Sequence, residues 1–421
     1  GDKKLTINSV DAQVATVTVT NTVGSDLTFA DGGNTSYTGG AGVDKVTFGT
    51  EAQLTAADSI AGGLGEDTIE FSEDPVALTA DAIAAISGFE ILAYNASSSD
   101  IGAAIAVDLT ALTGINELHI SDLVTATSTK TLTITGNDGM TLRLEEVASA
   151  ATTNIDVVIA NAGDAGTNNI LNLELSNFDD ATGSDATGVS NDGFQVDNVE
   201  NINIAMLGDE AAPASGTSDV DFVTLDDIDG AQLQKIVLTS ANTGTVVSTG
   251  AALASDSLDI KALETTILSE FDASAMTGAL DIADIAGAFV STGATIKGGS
   301  GIDTITGGSG SDVITGNAGV DALVGGAGND NIDGGTGADN ITGGTGADDI
   351  TGGTGRDVIA IAVNEDDTTG VAFNDSTTTA YDELKDFALL DVAFTSDGTF
   401  ADTAEFIAEG TDFVADVLDI S

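Results

Sequence analysis

The chain has 421 residues, 68 Asp and Glu against 10 Lys and Arg, a formal net charge of −58, one His and no Cys. That field repels nucleic-acid phosphates and anionic lipid alike, and the missing Cys and solitary His rule out zinc fingers, iron–sulfur centres and thiol catalysis. No run of about 18 apolar residues exists to form a membrane-crossing helix, and a chain that is 42% apolar is not the charged, weakly hydrophobic composition of a disordered one.

An acidic chain that folds must have its repulsion screened by salt or removed by bound cations. Both point to a medium rich in divalent ions, outside the cytoplasm. The absence of a thiol suits an oxidising space as well. The sequence opens at Gly1, which reads as a processed or trimmed end.

Residues 1–75 read as a β region with two isolated nine-residue motifs, Gly39–Thr47 (GGAGVDKVT) and Gly62–Glu70 (GGLGEDTIE). Asp44 and Asp67 stand at their sixth positions, Val46 and Ile69 at their eighth. Both loops are candidate calcium sites; the alternative is a glycine turn without an ion.

Residues 76–297 read as irregular β structure. A short helix is expected over Leu78–Ile86, after Pro75. Alternation marks half-buried strands at Thr131–Thr135, Met140–Leu144, Ile155–Ile159 and Leu171–Leu175. A weaker repeat starts at Gly88 (GFEILAY), Gly114 (GINELHI), Asn198 (NVENINI), Ala231 (AQLQKIVL) and Ala262 (ALETTIL), with spacings of roughly 26 to 34 residues and one gap near three times that. These are degenerate coils of a β-helix, or a stacked sandwich of related hairpins. Acidic clusters at Asp179–Asp180, Asp219/Asp221 and Asp226–Asp229 read as solvated faces, with extra surface calcium as the sharper option. Leu225 and Ile236 stand where an EF-hand needs oxygen ligands.

From Gly298 to Ala360 the chain consists of seven contiguous nonapeptides: GGSGIDTIT, GGSGSDVIT, GNAGVDALV, GGAGNDNID, GGTGADNIT, GGTGADDIT and GGTGRDVIA. The sixth position is always Asp: Asp303, Asp312, Asp321, Asp330, Asp339, Asp348 and Asp357. The eighth is always Ile or Leu, and Asn317 is the only break in the opening Gly pair. Glycine permits the positive φ of a tight turn that aims carbonyls at one point. Aspartate adds a short, hard carboxylate, and calcium takes six to eight such oxygens. The aliphatic residue closes a narrow core when copies stack.

Residues 361–421 change character. Segment 364–382, which includes the acidic cluster Glu365–Asp367, is acidic and Thr-rich; from Tyr381 onward come Phe387, Phe394, Phe400, Phe406 and Phe413.

The nonapeptide array resembles the repeats-in-toxin (RTX) family, whose repeat is G-G-x-G-x-D-x-U-x. The resemblance implies a parallel β-roll with two nonapeptides per turn and calcium between a loop and the loop one turn on. It places the seven Asp as ligands, with Asp from two successive turns at each ion. Carbonyls come from Gly298, Gly299, Gly301, Gly307, Gly308, Gly310, Gly316, Gly319, Gly325, Gly326, Gly328, Gly334, Gly335, Gly337, Gly343, Gly344 and Gly346. Pairing each repeat with the second one on gives five complete internal sites. Residues 361–421 are similar to the region that caps the roll in this family and can carry an uncleaved type I secretion signal. The fold class expected is therefore all-β, a solenoid or β-helix-like chain ending in a β-roll at 298–360.

No catalytic constellation stands out. The single His119 precludes H-E-x-x-H and sits in the strand-like ELHIS, G-x-S-x-G is absent, and no Trp with three Tyr leaves little to stack on sugars. A lyase would want a basic group near its ion, yet the arginines are only Arg143 and Arg356. The chain thus resembles an RTX-type bacterial surface-layer protein: secreted, non-enzymatic, calcium-dependent, with copies of itself as partners in a lattice or filament and a cell-surface polysaccharide as a further partner. The alternative is an adhesin or filament segment; a polysaccharide-active enzyme on a β-helix is more remote.

Overall fold

The computed structural model describes residues 4–10, 16–20, 22–29, 35–95, 105–121, 130–145, 153–159, 169–176, 189–191, 193–207, 222–225, 228–229, 232–239, 245–247, 257–260, 263, 265–361, 383–385, 387–389, 405–408 and 415–420. The clusters Asp179–Asp180, Asp219/Asp221 and Glu365–Asp367, and the residues Asp226, Asp227, Phe394, Phe400 and Phe413, lie outside the described residues. The chain divides into two units, Gly1–Gly230 and Ala231–Ser421. The boundary falls within the β-rich segment 76–297.

In the first unit, alternating segments become strands that pair parallel with the strand one coil later. One ladder runs through Ser25–Phe29, Lys45–Phe48, Thr68–Phe71, Ile91–Asn95, Glu117–Ser121, Thr141–Glu145, Ile170–Ser176 and Asn201–Leu207. In register, Leu27, Val46, Ile69, Leu92, Leu118, Leu142, Leu173 and Ile204 form one buried aliphatic column. A second column is aromatic. Phe29 stacks on Phe48 at 5.1 Å between ring centroids, Phe48 meets Phe71 at 6.2 Å, and Phe71 meets Tyr94 at 5.8 Å. Tyr94 keeps its hydroxyl satisfied by donating to the Val76 carbonyl. The opposite wall is again parallel, from Thr16–Thr18, Ser36–Thr38, Ser59–Ala61 and Ile86–Ser87 to the group Ile105–Asp108, Lys130–Gly136, Thr153–Ile159 and Gly193–Asp197. This is a β-solenoid, and it decides between the two architectures left open by the sequence.

The coil repeat differs from its reading in sequence at three places. The long gap after GINELHI holds two further coils, because Thr141–Glu145 and Ile170–Ser176 stack between Glu117–Ser121 and Asn201–Leu207. The described residues of ALETTIL, 263 and 265–268, precede the strand, which is Glu270–Asp272, and Leu268 and Phe271 take the buried places that Leu233 and Ile236 hold one coil earlier. The helix is shorter than expected, Ala80–Ala85, capped by Thr79, whose Oγ1 accepts from the Ala82 amide; Ile86 already belongs to a strand.

The second unit carries a ladder through Lys235–Leu238, Glu270–Asp272, Thr295–Lys297, Val313–Thr315, Asn331–Asp333 and Asp349–Thr351. The facing ladder runs through Leu280–Asp281, Thr304–Ser309, Ala322–Ala327, Asn340–Thr345 and Val358–Ile361. In the nonapeptide region one turn is 18 residues, so successive repeats alternate between the two walls. Ile314, Ile332 and Ile350 fall in one column, and Ile305, Leu323, Ile341 and Ile359 in the other, all buried. Beyond Ala360, Glu383–Lys385 and Ala415–Ile420 add one parallel strand to each wall. Glu405–Ala408 then pairs antiparallel with Ala415–Ile420, and Phe387–Leu389 with Glu405–Ala408. Among the described residues no helix is long and apolar enough to cross a membrane.

The aromatic column generates a direct test. Phe71 is fully buried between two rings, so Phe71→Ala should lower stability by about 3–5 kcal/mol. Leu64→Ala, at a site 73% exposed, should stay within about 0.5 kcal/mol. Denaturant midpoints in saturating calcium measure both.

Candidate metal centre

All seven repeat aspartates are buried, none more than 2% exposed. The 18-residue turn sorts them into two ladders, Asp303, Asp321, Asp339 and Asp357 on one side and Asp312, Asp330 and Asp348 on the other. Within each ladder Oδ1 of one Asp accepts the backbone N–H of the Asp one turn earlier. These bonds are 2.9 Å for Asp303 to Asp321, 2.8 Å for Asp312 to Asp330, 2.9 Å for Asp321 to Asp339, 2.8 Å for Asp330 to Asp348 and 2.9 Å for Asp339 to Asp357.

The second oxygen decides the chemistry. In Asp312, Asp321, Asp330 and Asp339, Oδ2 is buried and has no hydrogen-bond partner among the described residues. An unsatisfied buried carboxylate oxygen costs several kcal/mol unless a cation meets it. Beside each lies a space kept open by the first glycine of the loop. A Cβ placed on Gly316 would lie 2.5 Å from Asp321 Oδ2 and 2.6 Å from the Gly334 carbonyl oxygen; on Gly307 it would lie 2.5 Å from Asp312 Oδ2 and 2.6 Å from the Gly325 oxygen. A carboxylate oxygen and a carbonyl from the next turn thus converge on one small gap. Among the described residues no three His, Cys, Asp or Glu gather at a metal-sized site. The donor set is hard oxygen, carboxylate and carbonyl, which suits calcium and not a transition metal.

The first loop of the array differs. Asp303 Oδ1 accepts the Leu280 amide at 2.9 Å and Oδ2 accepts the Gly299 amide at 2.8 Å, while the Asn317 side-chain amide donates to the Gly298 carbonyl at 2.7 Å. Protein donors already engage both Asp303 oxygens and the Gly298 carbonyl. The two N-terminal motifs show the same contrast. Separated in sequence, they stack on successive coils, with Lys45 opposite Thr68 and Val46 opposite Ile69. Asp44 and Asp67 are fully buried, and Asp67 Oδ1 accepts the Asp44 amide at 2.7 Å. Asp44 is satisfied by Ser25 Oγ at 2.7 Å and the Gly40 amide at 2.8 Å, but Asp67 Oδ2 has no partner.

One backbone angle separates the two loop types. Where the second residue of the loop has positive φ (Gly63, Gly308, Gly326, Gly335, and Asn317 at 74°), Oδ2 is left open. Gly40 and Gly299 lack that conformation, and their amides cap Oδ2. Asn317 fits the pattern because Asn, after Gly, best tolerates the left-handed region. The motif string does not reveal this difference, since capped and open loops share the same letters.

Sequence reasoning also passed over Glu90. It lies 23 residues beyond Asp67, the same step that separates Asp44 from Asp67, and its Oε2 accepts the Asp67 amide at 2.8 Å. That equal step was the available signal. His119 and Arg143 are neighbours in register on the outer face, in strands Glu117–Ser121 and Thr141–Glu145.

Burial pushes the carboxyls of Asp321, Asp330 and Asp339 up to about 6; the amide bond from the earlier turn opposes this, and the neighbouring carboxylates of the ladder add to it. Burial also raises Asp303 and Asp312. In metal-stripped protein the folded roll therefore holds protons that the unfolded chain has released. Its stability is greatest below the ordinary value of 3.8, declines as pH rises and is lowest above about 6. The denaturant midpoint of stripped protein should be higher near about pH 5 than near about pH 7. Saturating calcium should reverse the order, because protons then compete with the ion.

A second test follows from the ladder. Asp330→Ala removes one open oxygen and orphans the Asp312 amide, so it should weaken calcium binding on both adjoining turns by about tenfold or more. Arg356→Ala, at an exposed variable position, should leave the titration unchanged.

Residues 297–332 and 324–359 match the RTX calcium-binding nonapeptide repeat, a unit of four copies. No curated protein matches the chain. RTX repeat proteins are typically secreted and extracellular. Buried carboxylates with open oxygens, carbonyls facing them one turn on, and this match converge on one statement: residues 297–359 are RTX repeats and the protein binds calcium through them.

Proposed function

We propose that the protein is a secreted, non-enzymatic structural component of a bacterial cell surface that folds with calcium and assembles with copies of itself into an S-layer-like array. The observation that carries this reading is the pair of buried carboxylate ladders with open oxygens. Such a stack is poorly tolerated without cations, so it suits a scaffold that stays threadable where calcium is scarce and sets where calcium is abundant. Charge supports assembly as well. Ten basic residues can offset only a small part of 68 acidic ones, and divalent ions between copies would neutralise what remains. The outer lysine pairs, Lys45 with Glu70 at 2.6 Å and Lys297 with Asp272 at 2.7 Å, bridge adjacent coils of one chain and so spend part of that basic charge within it.

In this reading the ligands are the open Asp of 298–360 with the first-position glycine carbonyls, and the strands after 361 close the roll and lie in the region that directs export. The test is negative-stain imaging of purified protein given millimolar calcium. Ordered sheets that dissolve in chelator are expected. Persistent monomers that bind a cell-surface polysaccharide would replace this reading with an adhesin.

A further inference from the structure

The first unit contains a buried carboxylate oxygen that no described residue satisfies, well away in sequence from the repeat array. Asp67 is fully buried and its Oδ2 has no partner. The surroundings reproduce those of the roll. A Cβ on Gly62 would lie 2.9 Å from Asp67 Oδ2 and would collide with the Gly88 carbonyl oxygen of the next coil, as a Cβ on Gly316 would meet Asp321 Oδ2 and the Gly334 oxygen. Gly63 has positive φ, as in the open loops. The place of the next aspartate is taken by Glu90, whose Oε2 receives the Asp67 amide at 2.8 Å. Glu90 is itself held in position, because its carbonyl accepts the Asn116 and Glu117 amides at 3.0 and 3.2 Å.

We propose that the first unit binds a calcium ion of its own between the coils of Asp67 and Glu90, with Asp67 Oδ2, the Gly88 carbonyl and the Glu90 carboxylate as ligands. The Asp44 loop, with both oxygens taken, is not the site but its support. The ion sits where nonapeptide loops give way to a coil, GFEILAY, that has no repeat motif. It ties the last RTX-like loop to the first irregular coil. This inference extends the calcium-binding reading of the roll and is independent of self-assembly.

Tyrosine makes the site separately observable. Residues 298–360 contain no aromatic residue, and Tyr37 and Tyr94 belong to the first unit; the third tyrosine, Tyr381, stands two residues before the strand Glu383–Lys385 that pairs with the roll, so every protein in the test carries Tyr381→Phe. The Tyr37 hydroxyl and Asp44 share Ser25 Oγ, and Tyr37 is close enough to Asp67 to be influenced by its charge. Terbium(III), which replaces calcium at hard-oxygen sites, should therefore give tyrosine-sensitised emission in the full chain, reversed by calcium. Asp67→Asn should abolish it, and Glu90→Gln should raise the terbium concentration for half-saturation by about tenfold or more. Glu66→Gln, at an exposed neighbour, should leave emission intact, and so should Asp330→Asn in the roll. Circular dichroism checks folding; if Asp67→Asn does not fold, Glu90→Gln decides. Emission absent in the parent, unchanged in Asp67→Asn or Glu90→Gln, or abolished by Asp330→Asn would overturn the proposal. Failure of the roll reading would show separately, as calcium binding insensitive to Asp330.

Discussion

Like charges stacked one strand apart in a low-dielectric wall are the constraint on which the rest of this molecule turns. Neighbouring parallel strands lie about 4.7–4.9 Å apart, so register alone sets the spacing of each Asp ladder. At that distance two carboxylates repel by on the order of 3 kcal/mol even at an effective dielectric constant of about 20. The fold places them there in long rows, each engaging one oxygen with the turn before and, in the open loops, leaving the other for a cation. An apolar ladder of Ile and Leu on the same strands supplies the cohesion, but each turn offers few such residues against the entropy of many ordered glycines. Metal and core are therefore coupled, and stability becomes a function of the medium.

Apart from the one ion proposed at Asp67, the upstream coils meet the same stacking problem with apolar contacts. Two residues past the aliphatic column, where the roll has the glycine that opens the next loop, the first unit stacks Phe29, Phe48, Phe71 and Tyr94, so an aromatic column is added to the aliphatic one. Coil length follows this change. The step is 18 residues in the roll, 23 from Asp67 to Glu90 and 31 from Asn169 to Glu200. Longer coils enclose larger side chains, and that apolar packing supplies cohesion the roll lacks. Asp58 illustrates the difference: its buried carboxylate takes the Thr35 amide on one oxygen and both the amide and hydroxyl of Thr55 on the other. An acid so completely satisfied is a structural strut. Open and capped carboxylates thus coexist in one chain, and only the open ones are chemistry.

Much of this was legible in the letters. An invariant Asp beside an invariant Ile or Leu every nine residues carries a turn, a ligand and a core position at once, and alternation such as LNLEL marks a wall strand whatever lies next to it. Register was harder to read. ALETTIL looks like its relatives, yet the strand forms three residues further on, around Phe271, because a buried position is chosen by what the neighbouring coil presents and not by local apolarity. Glu90 was hidden for a related reason, since its partner is 23 residues away and its segment has no glycine pair.

The sequence by itself determined the period, the ligand type and the ion, because these depend on residue chemistry repeated at fixed spacing. Tertiary structure alone decided which carboxylates are open. Asp303 and Asp312 sit in loops with the same opening letters, GGSG, yet the Gly299 amide caps the first, while Gly308, at positive φ, leaves the second exposed to the ion gap. That choice belongs to a backbone angle, and a one-dimensional pattern does not encode it.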